Sequence, residues 1–164
     1  MISFTDAQLR ASFVNTSLKE RKAIRLPEPG ETRWDRLDYL GWRDPKRPEL
    51  GFVVVELDGA ALGIQLRQAE AAPIARAQCS WCEDVQLPND VVFFGARLAG
   101  AAGRKGDTIG TLICAGFECS ANVRRLPPLA YEGFDREAAR DRRIEALGEH
   151  ARRFARNVLR GEAR

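Results

Sequence analysis

The sequence predicts an α+β fold built from antiparallel β-hairpins, flanked by an N-terminal helix and a long C-terminal helix. Three observations support this prediction. Residues 52–55 are β-favouring and residues 62–67 alternate in hydrophobicity, on the two sides of Asp58-Gly59, a dipeptide typical of two-residue hairpin turns. The C-terminal segment repeats apolar residues at steps of three and four, which is the period of a helix packed on one side. Four cysteines stand in two close pairs, and the chain contains no others.

The cysteines are spaced for one closed metal site. Two residues separate Cys79 from Cys82, and four separate Cys114 from Cys119. Zn²⁺ takes four tetrahedral ligands, and two thiolates in a tight turn can bind the same ion. The stretch between the pairs is long enough for a β-hairpin that joins a zinc knuckle to the start of a helix, which is the layout of a treble clef. We therefore predict a four-cysteine treble-clef zinc finger with Zn²⁺ bound by all four cysteines.

Other cysteine chemistries remain open at this point. Disulfides need an oxidising compartment, and the first residues lack the succession of a signal peptide, so we expect a cytoplasmic protein. A thioredoxin-like redox pair would use Cys79 and Cys82 and leave the other two idle. A catalytic zinc site keeps one position open for water, whereas an iron–sulfur cluster also takes four thiolates. Structural zinc is the interpretation we favour.

The N-terminal helix is expected to begin at about residue 6. Thr5 and Gln8 have the spacing of a capping box, which satisfies free amide groups at a helix start. The apolar pattern continues toward Ile24, and the proline-rich residues 26–30 end it. The aromatic residues 34–42 are then predicted to form a short helix that covers the core, with a ligand-binding aromatic patch as the alternative.

Two β-hairpins are predicted in the middle of the chain. In the first, residues 51–67, the alternation indicates one buried face and one face in water. The second consists of strands from residue 91 to about 98 and from 108 to 113, joined by a glycine-rich loop at 99–107. The two cysteine pairs would bracket this second hairpin.

Two helices are predicted to follow the second cysteine pair. A short one runs from Cys119 to about Arg125, and a long one begins near Asp135. The long helix has an apolar stripe of Ile144, Leu147, Ala151, Phe154 and Val158. Arginines lie mainly outside the stripe, so the opposite face is basic. This face is either solvated beside its acidic neighbours or available to an acidic partner or a phosphate backbone.

Composition limits the class of protein. A chain of 164 residues with 45% hydrophobic and 30% charged residues suits one soluble domain, and no apolar run is long enough to cross a bilayer, so we expect no membrane partner. We also expect no enzymatic activity. The single histidine, His150, lies on the predicted basic helix without a nucleophile motif nearby, and we expect it to be solvated. The glycines at 100–110 lack the Gly-Lys-Ser or Gly-Lys-Thr of a phosphate-binding loop.

Several segments besides the cysteine pairs carry a resemblance to a known family. They are residues 11–15, 34–45, 100–106 and 109–111. In these segments the chain resembles the elongation factor G-binding proteins, the FBP or FusB-type group associated with fusidic acid resistance, and in particular their C-terminal treble-clef zinc-finger domain. The resemblance covers nearly the whole chain, so residues 1–164 are expected to form a single domain of this type.

The resemblance implies a function in binding rather than in catalysis. Proteins of this group recognise the translocation GTPase, elongation factor G, and help it leave the ribosome. By that analogy the four cysteines would be the Zn²⁺ ligands, and we expect the protein to be a monomer. The partner surface is expected around the metal knuckle and the adjoining hairpin, where Trp81, Arg104 and Lys105 match the relevant segments. The C-terminal basic helix is a weaker addition to that surface.

An alternative function is a zinc-finger protein that binds ribosomal RNA or other nucleic acid. It rests on the combination of a zinc finger with the arginine-rich C-terminal helix. Such binding would weaken steeply as salt rises, because basic side chains release counterions from phosphates.

Overall fold

The computed structural model describes residues 1–28, 30, 32–71, 77–84 and 90–160. In these residues five antiparallel strands form one sheet in the order β1-β2-β3-β4-β5. The strands are β1 (Leu40–Arg43), β2 (Leu50–Leu57), β3 (Ala60–Gln68), β4 (Val91–Arg97) and β5 (Thr108–Cys114). The helices are α1 (Asp6–Ala11), α2 (Leu18–Ala23), α3 (Gly100–Arg104), α4 (Cys119–Val123) and α5 (Arg136–Leu159). This arrangement confirms the predicted α+β class.

Helix α1 begins where its capping box predicts. The Thr5 hydroxyl accepts a hydrogen bond from the Gln8 amide, and the Gln8 side chain accepts one from the Thr5 amide. The prediction that this helix continues toward Ile24 is wrong. It ends at Ala11 because the chain then turns to bond β3, with the Val14 amide donating to the Gly63 carbonyl.

A second capping box starts helix α2. The Ser17 hydroxyl accepts from the Glu20 amide, and the Glu20 carboxylate accepts from the Ser17 amide. This spacing of serine and glutamate is visible in the sequence, and it indicates that a new helix starts here. The apolar pattern alone suggests one continuous helix. In the proline-rich stretch predicted to end the helix, Pro29 lies outside the described residues.

The aromatic residues 34–42 are not the predicted helix. Only Trp34–Arg36 form a 3₁₀ turn, and the segment then extends into β1, where Gly41 pairs with Val53 of β2. Pairing with β2 satisfies the backbone groups that a helix would have satisfied internally. The aromatic side chains still cover the core as expected, since Tyr39 is buried and Trp42 stacks on Phe52 with ring centroids 5.3 Å apart.

The β2–β3 hairpin forms with the predicted turn. Asp58 and Gly59 both have positive φ, 52° and 79°, as the two central residues of a type I′ turn require. The expectation that one face of this hairpin lies in water is wrong for β2. Val53 and Val55 pack toward α5, whereas Leu50, Phe52 and Val54 pack against the N-terminal segment with Leu9 and Phe13. The sheet therefore has a hydrophobic core on each side.

Asn15 fills a gap between the third and fourth strands. Strands β3 and β4 share only two residue pairs, Arg67 with Gly95 and Gln68 with Phe94, and then diverge. The Asn15 side-chain amide donates to the carbonyls of Gln65 and Arg97 at 2.9 and 3.0 Å and accepts from the Gln65 amide. One buried side chain thus replaces strand pairing where the sheet opens.

The β4–β5 hairpin confirms the strands predicted between the cysteine pairs. The predicted loop at 99–107 differs, because it contains the short helix α3. Gly103 lets this helix approach the end of β4, since a β-carbon at this position would lie 1.7 Å from the Leu98 carbonyl oxygen.

The C-terminal helices match the sequence prediction. Helix α4 starts at Cys119, and α5 follows Asp135, whose side chain accepts a hydrogen bond from the Ala138 amide. Four residues of the predicted stripe are buried against the sheet and Ile144 is partly buried. No helix in the described part of the chain combines the length and apolar character needed to cross a bilayer.

We expect Gly103→Ala to destabilise the protein by about 2–3 kcal/mol, because the added methyl group meets backbone rather than a movable side chain. Gly95→Ala is the matched control, since its β-carbon would approach nothing closer than 4.0 Å. Urea unfolding monitored by circular dichroism measures both. Equal stability of the two variants would contradict the close packing of α3 on β4.

Candidate metal centre

The four cysteines converge on one point although they come from two distant segments. Cys79 and Cys82 lie in a tight turn, Cys114 is the last residue of β5, and Cys119 is the first residue of α4. Their sulfur atoms all lie within 4.8 Å of one another, and all four residues are buried. The Ser80 amide donates to the Leu112 carbonyl at 2.8 Å, which fixes the turn beside β5.

The distances between sulfur atoms distinguish a metal site from disulfides. Cys79 and Cys119 are separated by 3.6 Å, and Cys82 and Cys114 by 3.7 Å. A disulfide bond is about 2.05 Å long, and all four thiols are free. A tetrahedral ion with metal–sulfur bonds of about 2.3 Å places its ligands about 3.8 Å apart. These residues could therefore hold one such ion with no ligand position left for water.

Backbone and side-chain amides point at the sulfur atoms. The amides of Trp81 and Cys82 both lie 3.4 Å from the Cys79 sulfur, as donors in the turn. The side-chain amide of Asn122, which is buried in α4, lies 3.5 Å from the Cys114 sulfur and 3.9 Å from that of Cys82. Such donors stabilise negative charge on thiolates and orient them.

The protonation of the cluster suits a cation. Hydrogen bonding within the cluster, chiefly with Cys114, lowers the pKa of Cys79 well below its usual range. The same contact lowers the pKa of Cys82 to about 7. Hydrogen bonding with the same residue raises the pKa of Cys119. Four adjacent thiolates repel one another, so a positive ion among them is what would make all four stable in the ionised form.

Tyr39 borders the cluster as a neutral phenol. Burial raises its pKa, and negative charge at Cys119 raises it further. Its hydroxyl donates to the Phe117 carbonyl at 3.2 Å. Phe117 has a positive φ of 63° and lies between the second pair of cysteines. Tyr39 therefore supports the turn that brings Cys119 back toward Cys114.

Trp81 occupies the core rather than the surface, which corrects its assignment to the partner surface. Only 2% of it is exposed. Its indole nitrogen donates to the Thr111 hydroxyl at 3.0 Å, and its ring lies 4.8 Å from that of Tyr39 and 5.6 Å from that of Phe154. The tryptophan between the cysteines packs the turn onto α5.

Polar contacts add to this attachment. His150 is half-buried, not solvated as expected, and its Nδ1 atom lies 3.0 Å from the Trp81 carbonyl oxygen. Arg143 forms an ion pair with Asp84 at 2.7 Å, just beyond the turn. Helix α5 thus holds the cysteine turn from one side while β5 and α4 hold it from the other.

Arg104 and Lys105 are exposed, but they lie far from the cysteines. They end helix α3, next to the start of β5, whereas Cys114 is at the other end of that strand. Seven strand residues span roughly 20 Å. The structure therefore separates these two predicted partner residues from the metal site along the full length of the hairpin.

Acidic neighbours partly neutralise the basic face of α5. The paired arginines are Arg140, Arg143, Arg152 and Arg156, with partners at 2.9, 2.7, 3.6 and 3.3 Å. Arg142 and Arg153 are exposed and have no ion pair among the described residues. Part of the face is therefore neutralised by acidic neighbours, and its binding to an acidic partner or a phosphate backbone stays a prediction.

Sequence reasoning missed Asn122 and the role of His150. Asn122 stands three residues after Cys119 in a predicted helix, and residues three apart share a helix face, so this signal was available. Nothing local to His150 indicates its contact, which depends on α5 crossing the cysteine turn.

Comparison with known proteins identifies the family. The family model of the FBP C-terminal treble-clef zinc-finger matches residues 8–158. No curated protein is similar enough to this chain to count as a match. Among solved structures, the chain is similar to the fusidic acid resistance protein FusC, with a TM-score of 0.54 and 19% sequence identity. That similarity covers 74% of this chain and 52% of the other, so this chain spans about half the length of FusC and shares its fold. Because the family model covers nearly all of the chain, the protein belongs to the FBP C-terminal treble-clef zinc-finger family.

Proposed function

We propose that this protein binds Zn²⁺ through Cys79, Cys82, Cys114 and Cys119 and uses the stabilised domain to bind translation elongation factor G and promote its release from the ribosome. The observation that carries the proposal is the family match over residues 8–158, which includes all four clustered cysteines. The similarity to a fusidic acid resistance protein is consistent with this function. The protein would act as a cytoplasmic monomer.

The metal site supports a structural role. Its donors are four sulfur atoms, and all four cysteines are buried. An ion held by four thiolates stabilises the fold and has no open position at which to activate water. We therefore propose that the protein binds its partner without catalysing a reaction.

The position of the cysteines explains how the site would serve binding. They lie at the open end of the β4–β5 hairpin, where Val91 pairs with Cys114, and they connect this end to α4 and to the turn held by α5. A hairpin fixed in this way loses little conformational freedom when a partner docks, so less of the binding energy is spent on ordering it. The buried cysteines would thus make the hairpin a rigid support for the docking surface.

Arg104 and Lys105 are the proposed partner residues that remain after Trp81 is assigned to the core. Both are exposed at the end of α3, and neither forms an ion pair within the described part of the chain. Exposed cationic side chains steer association and can anchor carboxylates on a partner. This surface lies at the end of the hairpin opposite the cysteines.

We expect one zinc ion per chain and loss of the fold when it is removed. Binding of structural zinc contributes about 10–16 kcal/mol, comparable with the total stability of a domain, about 5–15 kcal/mol. Cys114→Ser should bind no zinc and should no longer unfold cooperatively. Ser80→Ala changes an exposed residue of the same turn that is not a ligand, and it should keep both properties.

Acid should release the ion, because protons compete with it for the thiolates. Elemental analysis measures the zinc content, and thermal melts measure whether unfolding is cooperative. A Cys114→Ser protein with full zinc content would contradict the ligand assignment.

We expect Asn122→Ala to weaken zinc binding by about 10–100-fold, because the sulfurs of Cys82 and Cys114 lose a shared donor. Asn157→Ala in α5 removes the same side chain far from the sulfurs and should leave the affinity unchanged. Competition with a chromophoric chelator measures both. Equal affinities would show that the Asn122 amide does not stabilise the bound thiolates.

Binding of purified elongation factor G tests the proposed partner directly. Isothermal titration with the wild-type protein should show a complex, and Lys105→Ala and Arg104→Ala should each cost about 1 kcal/mol or more while the melting temperature stays unchanged. Arg153→Ala is the matched control, since it removes an exposed charge from α5 instead. Undiminished binding by Lys105→Ala would remove Lys105 from the surface, and absence of a wild-type complex would refute the proposed partner.

A further inference from the structure

The outer face of the sheet carries a feature that the proposed function does not use. Residues paired directly across strands project to the same side. Arg67, Gly95 and Gly110 form one such row across β3, β4 and β5, and Arg97 with Thr108 forms the next. On the opposite side of the glycine row, Phe93 pairs with Leu112. An exposed aromatic ring and two arginines thus surround a row of glycines.

The glycines shape this face into a cleft. A β-carbon on Gly110 would lie 2.0 Å from the tip of the Phe93 ring, so the ring rests on that glycine. Gly95 is open, with the nearest atom, the Arg67 carbonyl oxygen, 4.0 Å from its ideal β-carbon position. The cleft above Gly95 has a volume of 530 Å³, within the range of about 300–1,000 Å³ typical of ligand sites. Phe93 is 43% exposed.

The charge on this face is predominantly positive. Arg67 is exposed and has no ion pair among the described residues. Arg97 pairs with Glu20 at 2.7 Å, and the two side chains are 48% and 38% exposed. A second cleft of 370 Å³ shares Arg97 and Glu20 and continues to Arg104. The lining of the two clefts therefore contains three arginines and one carboxylate.

We propose that this arginine groove, formed by Arg67, Phe93, Gly95 and Arg97, binds single-stranded RNA. One base would stack on the Phe93 ring above the open surface of Gly95, and the guanidinium groups would contact the phosphates on either side. Single-stranded nucleic acids are bound by this combination of an aromatic stacking surface with a basic groove. The proposal goes beyond binding of elongation factor G and does not require it.

The groove fits RNA better than an acidic peptide for a geometric reason. A flat ring beside a glycine floor leaves room for a planar base, and the arginines lie at the edges of that floor rather than at its centre. The arginines of α5 lack such a surface, and several are already paired with carboxylates. RNA contact is thus assigned to the sheet rather than to the C-terminal helix.

Fluorescence anisotropy with a short fluorescein-labelled single-stranded RNA tests the groove in the full-length zinc-loaded protein. Phe93→Ala should weaken binding about tenfold, the expected loss of one stacking contact. Arg67→Ala should reduce the slope of log affinity against log salt by about 0.7. Arg153→Ala, which removes a charge from α5, should change the affinity much less than Arg67→Ala. Melting temperatures show whether each variant is folded.

Two conservative variants separate stacking from simple apolar contact. Phe93→Tyr keeps the aromatic ring and should retain RNA affinity, whereas Phe93→Leu keeps apolar surface without a ring and should lose about as much as Phe93→Ala. Equal binding by Phe93→Leu and the wild type would overturn the stacking role.

Parallel titrations with elongation factor G separate this site from the proposed partner surface. Loss of RNA affinity in Phe93→Ala and Arg67→Ala with binding of the factor retained supports an RNA groove. Loss of binding to the factor with RNA affinity unchanged would overturn the proposal and assign the groove to a protein. Failure of the wild-type protein to bind RNA at low salt, or an equal loss in Arg153→Ala, would also overturn it.

Discussion

The convergence of four sulfur atoms is the constraint on which the rest of this structure depends. It joins a turn at Cys79 and Cys82 to a strand end and a helix start that follow more than thirty residues later. The cysteines belong to the same buried cluster as Trp81, Tyr39 and Phe154, so the metal site is continuous with the hydrophobic core. Separation of the sulfurs would release the turn from β5 and also remove the tryptophan from the side of α5. Metal binding and core packing are thus expected to be lost together.

The β4–β5 hairpin has two ends with different roles. At the end that carries Cys114, buried thiols and amide donors hold the strand in place. At the other end, α3 carries exposed cationic residues, and the outer face of the sheet carries the arginine groove. Because backbone hydrogen bonds make a strand pair rigid, fixing one end of the hairpin also fixes the position of the other end. Stabilisation and recognition can therefore lie at opposite ends of one element.

Local signals in the sequence were reliable where a few neighbouring residues determine the outcome. The capping box of Thr5 and Gln8, the turn at Asp58-Gly59 and the spacing of the cysteines each predicted the correct local structure. The aromatic segment at 34–42 was misassigned because its conformation depends on pairing with β2, which no local pattern contains. Trp81 was placed on the surface for a related reason. A tryptophan between two cysteines has the same sequence context whether it faces solvent or the helix that crosses above it.

The α+β class, the strands between the cysteine pairs, the stripe of α5 and the set of possible metal ligands can all be predicted from the sequence, because each depends on periodicity or on spacing along the chain. Which side chains are accessible depends on tertiary packing. It buried both faces of β2, attached His150 to the cysteine turn, and placed Arg67, Phe93 and Arg97 around the open surface of Gly95. Burial and the assembly of a surface depend on contacts between segments far apart in sequence, and those contacts exist only once the strands have paired and the helices have packed.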